Sequence, residues 1–73
     1  MASVNVHCEI TGKVWKIEAA VGDQLEEGDT ILIIESMKME IPLQTSVAGV
    51  IAEMLVAEGD AVTEGDAVVA MEI

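Results

Sequence analysis

Hydrophobic residues along this chain come in short β-branched stretches, punctuated by glycine-aspartate pairs. Ile31-Leu32-Ile33-Ile34 and Val68-Val69 are among the densest of these stretches. A branched β-carbon restricts χ1 and packs well on a pleated surface, so such residues favour strands over helices. All four aspartates, Asp23, Asp29, Asp60 and Asp66, directly follow a glycine. Glycine supplies positive φ without steric cost, and aspartate can hydrogen-bond its own turn backbone, so each pair reads as a turn. Short strands with closely spaced turn signals predict a compact all-β sandwich or barrel. The alternation within strands is imperfect. Apolar positions 14, 17 and 20 are spaced by three, which calls for a bulge or a twist. One buried helix over Thr30 to Gln44 is the alternative, since that stretch is apolar-rich and lacks glycine. The poor helical propensity of Ile31 to Ile34 and the break at Pro42 favour two strands.

The grammar repeats. Residues 12–36 align with residues 49–73 at a constant offset of 37, without gaps. Gly12 meets Gly49, Gly22-Asp23 meets Gly59-Asp60, and Glu27-Gly28-Asp29 meets Glu64-Gly65-Asp66. Apolar positions coincide as well: Val14 with Ile51, Ile17 with Met54, Leu25 with Val62, and Ile31 with Val68. Two copies of one folding pattern within a single domain spanning 1–73 is the economical reading. The stretch from Met37 to Ala48 falls outside the repeat and joins its copies.

Composition narrows the function. The chain has 73 residues, and a domain this short buries only about 60–65% of its unfolded surface. That leaves little interior for a closed catalytic pocket. Isoleucine, valine and leucine number 22 while phenylalanine and tyrosine are absent, so the core is aliphatic. Net charge is −11, from 14 carboxylates against three lysines. Nucleic acid and anionic membrane surfaces both need a basic footprint, which is missing. A lone Cys8 allows no internal disulfide and fits a reducing compartment. No basic-then-apolar leader opens the chain, and no apolar run approaches the roughly 20 residues of a membrane span. A soluble, cytoplasmic protein is expected.

If strands flank Met37-Lys38, the chain reverses there without the Gly, Asn, Asp or Pro that a tight hairpin prefers. Local rules are broken at functional sites more often than elsewhere. A reversal there exposes at least one of Met37 and Met39, and exposed methionine suits surfaces that adapt to partners.

The run Glu35-Ser36-Met37-Lys38-Met39-Glu40, set between the two halves, resembles the biotin-attachment motif of the biotin carboxyl carrier proteins. The resemblance covers essentially residues 9–73, glycines included, and is nearest to minimal stand-alone biotin/lipoyl attachment proteins. It implies a flattened barrel or sandwich of two four-stranded sheets related by a pseudo-twofold axis, with the modified lysine on a hairpin tip. It further implies that a biotin protein ligase joins biotin to Lys38 through an amide. A biotin carboxylase and a carboxyltransferase then use the loaded domain in turn. An ordinary lysine amine is almost wholly protonated at neutral pH, and the single histidine, His7, is remote in sequence. Activation therefore comes from the ligase, and the domain is a carrier and not an enzyme.

Lipoyl domains share the implied fold, and lipoate on Lys38 is the alternative. Methionine on both sides of Lys38 favours biotin, whereas Ser36 departs slightly from the alanine commonest in biotin domains. The gap-free repeat leaves no room for the inserted thumb of some larger carriers. A non-modified structural relative is a further class, against which Met37-Lys38-Met39 discriminates. A His7-Cys8 nucleophilic pair is disfavoured because adjacent strand residues point to opposite faces. One histidine and one cysteine are too few for a metal site of defined spacing. Trp15 reads as a half-buried packing residue, Met54 and Met71 as core, and Pro42 as an edge-strand or bulge position.

Overall fold

The computed structural model describes residues 2–73 and is built of strands alone. They are β1 (Ser3–His7), β2 (Gly12–Ile17), β3 (Gln24–Leu25), β4 (Thr30–Ser36), β5 (Met39–Gln44), β6 (Gly49–Met54), β7 (Ala61–Val62) and β8 (Ala67–Glu72). Two four-stranded antiparallel sheets result, ordered β1-β8-β6-β3 and β5-β4-β2-β7. The sheets face each other without closing into a barrel, the flattened sandwich that the resemblance implied. Thr30 to Gln44 is two strands and a reversal, not a helix.

The offset of 37 maps one sheet onto the other strand by strand. Its reach is longer than the sequence identities indicate, because β5 is the counterpart of β1. Cys8 N donates to Asp66 O and Gly65 N donates to Cys8 O; Thr45 N donates to Asp29 O and Gly28 N to Thr45 O. Residues 39–48 thus repeat residues 2–11, which corrects their reading as a connector outside the repeat. Among these pairs the sequence keeps only an apolar alternation: Val4 with Ile41, Val6 with Leu43, Ile10 with Val47. The axis also relates the rung Ser36–Met39 to the chain ends, where Ile73 N donates to Ala2 O at 2.9 Å.

Bulges account for the broken alternation. Pairing shifts register between Val14 and Lys16 in β2 and between Ile51 and Glu53 in β6, which are equivalent places. It shifts again between Thr30 and Leu32. One extra residue per bulge lets neighbours face the same side, so Ile31 and Leu32 are both buried, as are Val68 and Val69. Val14, Leu25, Ile31, Leu32 and Ile34 from the first half meet Ile51, Val62, Val68, Val69 and Met71 from the second in one core. Each such side chain contributes about 1.5–3 kcal/mol by leaving water. Met71 is fully buried, Met54 packs partly buried against the core, and Trp15 sits on its bulge with 47% of its surface exposed.

The four glycine-aspartate pairs form one turn used four times. Gly22, Gly28, Gly59 and Gly65 have φ between +93° and +95°. In the turn ending at Asp29, the Asp29 N–H donates to Glu26 O at 3.0 Å, and the Asp29 carboxylate accepts the Glu26 N–H at 2.9 Å. The carboxylates of Asp23, Asp60 and Asp66 do the same for Ala20, Ala57 and Thr63. Gly12 and Gly49 serve another purpose. A β-carbon on Gly12 would lie 2.5 Å from the Glu35 carbonyl oxygen, so only glycine lets β2 cross so close beneath the end of β4.

Candidate functional site

Strands β4 and β5 pair from Thr30–Gln44 up to Ser36–Met39, leaving Met37 and Lys38 as a two-residue loop. Their φ angles are 51° and 66°. A two-residue hairpin loop with both residues left-handed matches the right-handed twist of its strands, which is why asparagine and glycine usually fill it. An L side chain held in that region costs roughly 1–2 kcal/mol per residue. The hairpin carries this strain because the rungs below it fix the register. Ser36 adds a tie, its hydroxyl donating to Thr11 O at 2.9 Å.

The tip is fully presented. Met37 keeps 93% of its surface exposed and Met39 62%, so two apolar side chains stand in water at the tip. Lys38 is exposed between them. Among the described residues the one ion pair joins Lys16 to Glu18 at 3.7 Å, so the Lys38 ammonium is not engaged by a carboxylate. A cleft of about 570 Å³ lies between the β1 and β5 segments near Asn5, His7, Gln44 and Ser46, and Lys38 does not line it.

Below the tip, Glu35 and Glu40 are direct cross-strand partners, with Lys13 on the far side of Glu35. All three are exposed. Two carboxylates opposed on one rung are mildly destabilising, and the lysine beside them offsets part of that. The axis relates this row to Val50, Glu72 and Ser3, which carry one charge among them. Sequence reasoning grouped Glu35 through Glu40 correctly in space but missed Lys13 and Thr11, whose places depend on the β2 register. His7 is exposed at the end of β1, whereas Cys8 is buried and its thiol donates to Thr63 O. The pair shares no surface.

An exposed lysine on a strained hairpin, away from the cleft between β1 and β5, makes the β4–β5 tip the candidate site. The family model described as biotin-requiring enzyme matches residues 3–71, and the chain belongs to this biotin/lipoyl attachment family. A Bacillus subtilis protein named biotin/lipoyl attachment protein is 40% identical over 57 residues, 78% of this chain and 78% of its own. A Mycobacterium leprae protein named biotinylated protein TB7.3 homolog is 40% identical over 58 residues, 80% of this chain and 82% of its own. The crystal structure of Kluyveromyces lactis urea carboxylase superposes with a TM-score of 0.91 at 38% identity, covering 99% of this chain and 6% of that one.

Proposed function

We propose that this domain is a biotin carboxyl carrier and that Lys38 is its attachment site. The observation that carries the reading is the placement of Lys38: exposed, unpaired with a carboxylate, and held on a left-handed turn between two exposed methionines. The relatives' names favour biotin over lipoate, as do the methionines on both sides of the lysine. A biotin protein ligase supplies activated biotin as an acyl-adenylate. The Lys38 amine attacks its carbonyl carbon, an amide forms, and adenylate and one proton leave. Biotin then supplies a ureido nitrogen that carries a carboxyl group between a biotin carboxylase and a carboxyltransferase.

The chain's own residues present and hold the arm and take no part in the transfer chemistry. The β4–β5 hairpin fixes where the arm begins, and the exposure of Lys38 at its tip leaves the cofactor free for partner active sites. Tethering raises its effective concentration there into roughly the millimolar range. The buried free Cys8 fits a cytoplasmic setting.

Incubation with a biotin protein ligase, biotin and ATP, followed by intact mass and peptide mapping, tests this. One biotin on Lys38 is expected, changing net charge from −11 to −12 as the amine becomes an amide. Modification of Lys13 or Lys16, or acceptance of lipoate in place of biotin, overturns the assignment.

A further inference from the structure

The two halves of this molecule are nearly interchangeable, so a polar contact present in only one of them needs a reason. The clearest such contact centres on Thr11. Its backbone carbonyl accepts the Ser36 hydroxyl at 2.9 Å, and its own hydroxyl accepts the Glu64 N–H at 3.1 Å. Thr11 therefore ties the last rung of the β4–β5 hairpin to the Thr63–Asp66 turn of the other half. The residues equivalent by the offset of 37 are Ala48 for Thr11 and Ile73 for Ser36. Neither has a side chain that can hydrogen-bond. At that end the close approach of Gly49 is to Glu72 O and the apolar Ile73 side chain.

The difference follows what each end has to do. The rung Ser36–Met39 carries a turn whose two residues, Met37 and Lys38, both sit in a backbone region that L side chains avoid. Strain of that kind is relieved most easily by opening the nearest rung, which would let the tip sample other shapes. A tie at Ser36 opposes that opening. It does so from outside the hairpin, through a residue anchored to a separate turn. The equivalent rung, Ala2–Ile73, has no such side-chain tie among the described residues.

We propose that Thr11 and Ser36 form a latch that positions Lys38, holding the strained tip in one shape so that a modifying enzyme meets a preordered lysine. This rests on the carrier reading above. Both are positioning residues; neither touches the reacting amine. An ordered tip lowers the entropy lost on docking, so the latch should act on encounter and leave the transfer step alone.

The test uses the intact chain and Ser36→Ala, Ser36→Thr, Thr11→Ala and Thr11→Ser variants. Two measurements are made: backbone amide relaxation at Met37 and Lys38, and steady-state biotinylation by a biotin protein ligase. Ser36→Ala should raise KM for the domain about threefold, the scale of one exposed hydrogen bond, with kcat unchanged. It should also increase tip mobility while amides of β6 and β8 stay as they are. Thr11→Ala should follow it more weakly, and Ser36→Thr and Thr11→Ser should behave as wild type. If Ser36→Ala leaves both KM and tip mobility unchanged, or lowers kcat instead, the latch is wrong. If the wild-type chain accepts no biotin, the carrier reading fails, and the relaxation data still decide the latch.

Discussion

Two kinds of turn in this molecule face the same backbone demand and meet it in opposite ways. Four turns place glycine at φ near +94° and follow it with an aspartate whose carboxylate closes the loop. The fifth places Met37 and Lys38 at φ 51° and 66°, with no glycine and no closing side chain within the loop itself. The first set follows turn chemistry and serves the fold. The other departs from it at Met37 and Lys38, the proposed point of presentation. Stability and presentation are thus divided between different reversals of one short chain.

Substitutions can break this contrast or sharpen it. The largest effect is expected from Gly28→Val, which forces a β-branched residue into a positive φ. It should cost about 2–3 kcal/mol in denaturant unfolding. No atom lies within 4 Å of an added β-carbon there, so the cost is conformational and not a clash. Glu26→Gln in the same turn should stay within about 0.5 kcal/mol, and equal effects from the two would sink the argument for that turn. Asp29→Ala comes next. It removes the carboxylate that accepts the Glu26 N–H and should lower stability by about 1 kcal/mol. The same loss at Asp66 would show that the four turns are equivalent.

At the fifth turn the sign should reverse. Met37→Gly relieves a left-handed side chain and should raise the melting temperature, by a stabilisation of about 0.5–1 kcal/mol. A drop in melting temperature would mean that Met37 packs in a way its 93% exposure denies. The smallest effect on stability belongs to Lys38→Ala, within about 0.5 kcal/mol. That variant should acquire no biotin by intact mass. A large loss of stability would make Lys38 a structural residue.

Much of this was legible in the sequence for definite reasons. The Gly-Asp pairs are visible because positive φ admits few residues, and the spacing of Val14 and Ile17 announced a bulge because strict alternation could not bury both. Met37-Lys38 stood out by lacking turn residues between two strands. The match of 39–48 with 2–11 was hidden, because exposed strand positions accept almost any side chain: Asn5 answers Pro42 and His7 answers Gln44. Pro42 itself lies where expected, on an edge strand. The row Lys13–Glu35–Glu40 and the contacts of Thr11 arise from which strands pair and in what register, and neither can be read from the sequence of one strand.

The meeting of Ala2 and Ile73 on one rung has a mechanical consequence. Tension applied between the two chain ends pulls that rung apart first, then Ser3–Glu72 and Val4–Met71 in turn. Each rung bears the load singly, so the domain should peel open at low force. Tension between Lys38 and either end takes another route. It must pass from the β4–β5 sheet to the β1–β8 sheet, whose inward side chains meet in one shared core. Those resist together. Pulling at Lys38, the proposed attachment site, therefore loads the packed core and should meet more resistance than pulling between Ala2 and Ile73.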